Sequence, residues 1–254
     1  MSVFVPRGRF VWCDLMTSDP QAAQQFYGKV VGWGTQAWEG PVPYTMWTNN
    51  GAPLGGIMDL PRPGTPPHWL AYISTPDCDA AATQVKELGG QVHHGPEDIP
   101  NVGRFAVAAD PQGAYFALFT PSMEGSDEEP EPKVGEFSWH ELATTDHGAA
   151  NTFYTQLFGW DKQGEFDMGG GWMYLMFGRK GRELGGMFTK TAEMPGPPAW
   201  LHYIKVDGAD AAVERIKSAG GQVINGPMEV PGGDWIAQAI DPQGAFFAVH
   251  SKTK

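Results

Sequence analysis

From Phe10 to Thr17 the chain alternates between two side-chain faces, and Asp19-Pro20 then opens a segment whose apolar positions fall at helical spacing: Ala22, Ala23, Phe26, Tyr27 and Val30. The pattern predicts a strand, an Asp N-cap with Pro at the first helical position, and a short helix packed back on the strand. The same pattern returns from Phe137 to Asp146, followed by Ala149, Ala150, Phe153, Tyr154 and Gly159-Trp160, a shift of 127 residues from Phe10 to Phe137. Between the copies, short strands are predicted over 33–38, 44–48, 53–58 and 68–74, a helix over 80–88 stopped by Gly89-Gly90, and a hairpin of 104–109 and 114–120 across Asp110-Pro-Gln-Gly113. The loop Pro61 to Pro67 is too rich in proline for either element.

Further matches make the duplication nearly chain-long. Tyr44 answers Tyr174, Leu54-Gly-Gly56 answers Leu184-Gly-Gly186, Trp69 answers Trp200, and Asp79-Ala-Ala81 answers Asp210-Ala-Ala212. Gly89-Gly-Gln-Val92 and Gly95-Pro96 return as Gly220-Gly-Gln-Val223 and Gly226-Pro227, and the turn returns as Asp241-Pro-Gln-Gly244. The expected organisation is a first module over 7–121, an acidic, Pro-rich linker over 122–134 and a second module over 135–252. The charge of the linker is expected to serve solvation. Sheets with helices on one face need cover on the other, so the class is α+β, with two modules pairing through mixed sheets around a cup-shaped cavity.

Composition narrows the partners. Ten Trp, fourteen Phe and seven Tyr supply more aromatic area than a core of this size needs, so some rings are expected to line a pocket. A formal charge of -12 disfavours nucleic acid and anionic membranes. The two cysteines, Cys13 and Cys78, have no paired spacing and read as buried thiols. No apolar run reaches the roughly 18 residues of a membrane span, and the stretch holding Pro6, Arg7 and Arg9 lacks the apolar core of a signal peptide; a cytoplasmic protein is expected.

The strand ending in Asp, the Ala-Ala-x-x-Phe-Tyr helix, the Gly-Trp, the Asp-Ala-Ala helix and the Asp-Pro-Gln-Gly strand together resemble the vicinal oxygen chelate superfamily. It includes glyoxalase I, extradiol dioxygenases, fosfomycin resistance enzymes and bleomycin-binding resistance proteins. The resemblance covers both halves and is strongest to two-module, glyoxalase-like bacterial proteins. It implies tandem βαβββ modules and a divalent metal held by His or Glu that binds two neighbouring substrate oxygens. The ligand positions that the resemblance implies fall here on Trp12 and Trp139, on Leu70 and Leu201, and on Ala117 and Ala248. None offers a metal donor, so no metal or other cofactor is expected.

Because strand side chains alternate, residues two positions from these places keep the same face. Asp14, Glu141, His68 and His250 can therefore face inward, whereas His140 and His202, one position off, are expected to point away as core or surface histidines. Asp14 and Glu141 read either as general bases or anchors for a cationic or hydroxyl-bearing ligand, or as carboxylates satisfied by backbone N–H groups or an Arg. Arg104 either pairs with one of them or lies on the surface. Trp33 and Trp160 read as core.

Two functions follow. One is a small-molecule binding protein with a metal-free aromatic site built from Trp12, Trp139, Tyr44, Tyr174 and Trp172, with His68 and His250 beside it, taking a flat or cationic organic ligand. The alternative is a glyoxalase-like lyase or dioxygenase-type enzyme, either metal-dependent or using Asp14 or Glu141 as a metal-free base. A monomer suffices for either, and a homodimer is compatible with both.

Overall fold

The computed structural model describes residues 4–40 and 43–254. Each module runs through the βαβββ order twice. In the first, β1 (Phe10–Thr17), α1 (Pro20–Val31), β2 (Gly34–Ala37), β3 (Thr45–Asn49) and β4 (Ala52–Asp59) are followed by β5 (His68–Ser74), α2 (Cys78–Glu87), β6 (Gln91–Ile99), β7 (Gly103–Ala109) and β8 (Tyr115–Pro121). In the second, β9 (Phe137–Thr144), α3 (His147–Phe158), β10 (Asp161–Asp167), β11 (Met173–Arg179) and β12 (Arg182–Thr189) lead to β13 (Ala199–Lys205), α4 (Ala209–Ser218), β14 (Gln222–Glu229), β15 (Trp235–Ile240) and β16 (Phe246–Ser251). The strands form two mixed eight-stranded sheets, ordered β2-β3-β4-β1-β5-β8-β7-β6 and β10-β11-β12-β9-β13-β16-β15-β14. β1 with β4 and β9 with β12 are parallel, as are β5 with β8 and β13 with β16.

The helix starts follow the capping chemistry. The side chains of Asp19 and Asp146 accept from the backbone N–H of Ala22 and Ala149, at 2.9 Å each, and Gly32 and Gly159 close the helices in the left-handed region. Asp77 caps α2, which starts two residues before the predicted Ala80. The sequence pattern predicts no element over 91–99, where the chain forms β6. The strand runs through Gly95-Pro96 with a shift in its register against β7.

The chain forms two compact units that do not coincide with the repeated modules. One joins the segment up to Val11 with Ala71–Pro130 and His140–Trp200; the other joins Trp12–Leu70, Glu131–Trp139 and Leu201–Lys254. Each has an aromatic centre. In the first, Tyr154, Trp160, Phe177 and Trp200 pack with Phe10, and the Trp160 indole donates to the Gly8 carbonyl at 2.7 Å. In the second, Tyr27, Trp33, Trp47 and Trp69 pack with Phe137, and the Trp33 indole donates to the Gly135 carbonyl at 2.7 Å. Trp33 and Trp160 are thus core residues, 4% and 1% exposed.

A buried polar relay fastens each centre. Trp69 Nε1 donates to the Tyr27 hydroxyl at 3.2 Å, and that hydroxyl donates to Asp241 Oδ2 at 3.2 Å. Asp241 Oδ1 accepts the backbone N–H groups of Gln243, Gly244 and Ala245. The other unit repeats this with Trp200, Tyr154 and Asp110. Burial pushes both carboxyls above the ordinary aspartate range, and the N–H groups and tyrosine hydroxyls oppose that rise. The Phe-Tyr helix, the repeated Trp and the Asp-Pro-Gln-Gly turn are therefore parts of one device. It ties α1 of the first module to the last turn of the second, and α3 of the second to the turn of the first.

The expectation that the linker charge only serves solvation is corrected. Asp127 and Glu129 are paired with Arg179, whose side chain is 7% exposed; Lys180 also pairs with Asp127, Arg9 contacts Glu129 at 3.1 Å, and Arg182 donates to the Glu129 carbonyl. A buried guanidinium needs such partners, and the linker carboxylates supply them.

Replacing Tyr27 or Tyr154 by Phe leaves a buried carboxylate short of one donor and should lower stability by about 1–3 kcal/mol in denaturant titrations. His202 gives a pH-dependent counterpart. Burial lowers its pKa from 6.5 to about 3. The unfolded chain therefore takes up a proton that the folded chain refuses, so this contribution is complete above the ordinary histidine pKa and is lost as the pH falls toward 3. Stability should drop by a few kcal/mol on acidification from pH 7 to 4 through this group, on the order of 1.4 kcal/mol per pKa unit, and His202→Gln should flatten that part of the curve.

Candidate functional site

Asp14 and Glu141 stand at equivalent places, each opposite a glycine of the neighbouring parallel strand: Asp14 opposite Gly56, and Glu141 opposite Gly186. Tyrosine reaches each carboxylate from the next strand over. The Tyr44 hydroxyl donates to Asp14 Oδ1 at 2.5 Å, and the Tyr174 hydroxyl donates to Glu141 Oε2 at 3.0 Å. Trp12 Nε1 completes the first cluster, lying 2.9 Å from Asp14 Oδ1 and 2.8 Å from the Tyr44 oxygen.

The Leu-Gly-Gly repeats exist to permit this. A Cβ at Gly56 would overlap the Tyr44 hydroxyl and come within 2.6 Å of Asp14 Oδ1, and one at Gly186 would overlap the Tyr174 ring. Gly55 and Gly185 have a different task, since a Cβ there would strike the backbone carbonyl of Cys13 or His140 on the adjacent strand. One glycine of each pair lets the strands approach, and the other lets the phenol lie across the sheet.

The two clusters differ in environment. Asp14 is 2% exposed, so its carboxylate depends on the indole and phenol donors, whereas Glu141 is half-buried. Burial, and then the Asp14 charge, push the Tyr44 phenol and the neighbouring Cys13 thiol well above their usual ranges, so both stay protonated. In the second module, Trp172 donates to the Thr189 carbonyl at 2.8 Å and meets Phe188 edge-on, and Tyr174 stacks on Phe188 with centroids 6.2 Å apart. Trp139, the counterpart of Trp12, is half-buried.

The six positions that would carry a metal do not fit one. Trp12 is an N–H donor already engaged, Trp139 has the same chemistry, and Leu70, Ala117 and Ala248 are buried apolar side chains. Leu201 is half-buried and equally without a lone pair. Among the described residues no group of three or more His, Cys, Asp or Glu gathers into a possible metal site.

The histidines separate into two kinds. His140 and His202 are buried, the former stacked on Phe10 at 3.6 Å and the latter edge-on to Phe137. His68 Nδ1 lies 2.8 Å from the Pro66 carbonyl, in an exposed position, and His250 bridges Ser138 and Asp234. Arg104 meets neither Asp14 nor Glu141 among its ion pairs. It grips Asp79 at 2.7 Å and Asp98 at 2.8 Å at the surface, and its hydrogen bond holds the Asp79 carboxyl below the usual range. Ser138 and Asp234 are polar partners that no sequence motif announces.

The model of the Glyoxalase/Bleomycin resistance protein/Dioxygenase superfamily matches residues 9–118 and 136–249. "Putative glyoxylase CFP32" of Mycobacterium tuberculosis is 36% identical over 248 residues, covering 94% of this chain and 92% of its own. The anthracycline biosynthesis protein DnrV of Streptomyces peucetius is 33% identical over 269 residues, covering 98% and 94%. Among solved structures, the Mn(II)-bound glyoxalase from Novosphingobium aromaticivorans superposes with a TM-score of 0.66 at 17% identity, over 99% of this chain and 84% of that one. The 2,3-dioxygenase LapB from Pseudomonas sp. KL28 does so with a TM-score of 0.68 at 11% identity, over 98% and 94%. At such identities the structural likeness carries the fold alone. With both modules matched and relatives aligned over nearly their whole length, the chain belongs to the Glyoxalase/Bleomycin resistance protein/Dioxygenase superfamily.

Proposed function

We propose that the chain is a small-molecule binding protein whose metal-free sites hold a flat aromatic ligand bearing a hydroxyl or amine. The observation that carries this is the duplicated carboxylate–tyrosine pair, Asp14 with Tyr44 and Glu141 with Tyr174, the first of them joined by the Trp12 indole at a place where metal-binding relatives carry a ligand. An indole face gains from stacking on a flat ring, and a carboxylate beside it selects a hydrogen-bond donor or a cation. The net charge of -12 favours the approach of a cation. Two relatives at 33% identity are named for anthracycline biosynthesis, which is chemistry on flat polycyclic aromatic molecules. In this reading His68 and Trp172 supply second contacts, Trp172 by way of Phe188, on which Tyr174 stacks.

A second reading has its own support. The 2.5 Å hydrogen bond between Tyr44 and Asp14 is a short path for a proton, as a metal-free lyase would require. In that reading Asp14 or Glu141 is the base, held in place by the tyrosine hydroxyl, and the same carboxyl returns the proton.

Mutants separate the two. Titration of the protein's tryptophan fluorescence with an anthracycline, with and without its amino sugar, should show saturable quenching. Trp12→Ala or Trp139→Ala should weaken affinity roughly 10–100-fold, about 1–3 kcal/mol. Asp14→Asn should weaken only the amine-bearing ligand. Equal affinities for all variants would reject the binding reading. For the lyase reading, Asp14→Asn or Glu141→Gln should abolish turnover of a ligand while leaving its binding nearly intact.

A further inference from the structure

We propose that Ser138, His250 and Asp234 form a second, separate site, a serine nucleophile that hydrolyses carboxylic esters. The three side chains make a continuous relay. Ser138 Oγ lies 2.9 Å from His250 Nδ1, and His250 Nε2 lies 2.7 Å from Asp234 Oδ2. A carboxylate can only accept, so the imidazole proton sits on Nε2 and the Nδ1 lone pair faces the serine. The seryl hydroxyl then donates to Nδ1, since its other acceptor, the Tyr203 carbonyl, is 3.4 Å away. The two nitrogens are used in the reverse sense from the commonest serine hydrolases, but base and orienting acid keep their roles.

Three further observations bear on reactivity. First, the relay is reachable: the His250 and Asp234 side chains are 16% and 21% exposed, and Ser138 is half-buried. Second, the Asp234 carboxyl stays ionised. Burial raises its pKa, but hydrogen bonds from Lys252, 2.9 Å away, and His250 outweigh this and bring it below the ordinary range. Third, the fold does not demand these residues, because the same places in the first module hold Val11, Phe119 and Gly103. A device needed only to hold strand ends would be expected in both modules.

The step balances without any cofactor. Ser138 Oγ bonds to the acyl carbon while its proton passes to His250 Nδ1. The bond to the alcohol oxygen then breaks, and the alcohol leaves with that proton. Water, deprotonated by the same nitrogen, attacks the acyl group, releases the carboxylic acid and restores the serine.

The test uses the full chain with p-nitrophenyl acetate and, separately, a fluorophosphonate. Stoichiometric phosphonylation mapped to Ser138 by peptide mass spectrometry is expected, together with ester hydrolysis that Ser138→Ala reduces to background. Asp234→Asn should slow both reactions about tenfold or more, and Asp234→Glu should recover part of the rate, which a purely structural role would not do. Thermal unfolding of each variant checks that it folds. If Ser138→Ala does not fold, adduct mapping on the unaltered chain decides. An adduct on another residue, no adduct, or undiminished hydrolysis in a folded Ser138→Ala variant would overturn the proposal.

Discussion

The buried Trp–Tyr–Asp relay sets the terms for the rest of the molecule. A tyrosine hydroxyl from a helix of one module is committed to a carboxylate in the last turn of the other, at Tyr27 with Asp241 and at Tyr154 with Asp110. One oxygen of each carboxylate is satisfied by backbone N–H groups of its own turn, and the other takes its donor from the tyrosine of the opposite module. Duplication in the sequence therefore does not mean two independent bodies. Each compact unit takes half of each module, and the aromatic centre of each unit grows around its relay.

With the helix faces fixed in this way, chemistry is left to the opposite strand face. There the constraint is steric before it is electrostatic. Gly56 and Gly186 leave room for a phenol to cross the sheet, and that phenol can then meet a carboxylate one strand further on. Trp12 supplies a further donor to the buried Asp14 in the first cluster. The tyrosine–carboxylate pair is what orients the polar groups on this face.

The readable part of the sequence was the part repeated by physical need. Asp caps, Gly stops, the Leu-Gly-Gly pairs and the Asp-Pro-Gln-Gly turns recur because each enforces a local geometry, and the strand Phe137–Thr144 follows from alternation. What local pattern could not give were partners distant in the chain. Arg179 and Lys180 lie some fifty residues beyond the linker carboxylates they hold, and Ser138 meets His250 across 112 residues. Arg104 had a nearer match in Asp98, six residues earlier, than in either candidate carboxylate. β6 escaped because Gly-Pro is ordinarily a turn signal, and here the strand tolerates it through a register shift.

The central claim is that aromatic and carboxylate–tyrosine groups, not a metal, hold the ligand. Native mass spectrometry of protein purified without chelator, before and after adding an anthracycline, tests it most directly. The account predicts a mass equal to the polypeptide alone, then a stoichiometric adduct of the ligand that persists after chelator treatment. A stoichiometric divalent metal whose removal by chelator also removes the ligand would contradict it.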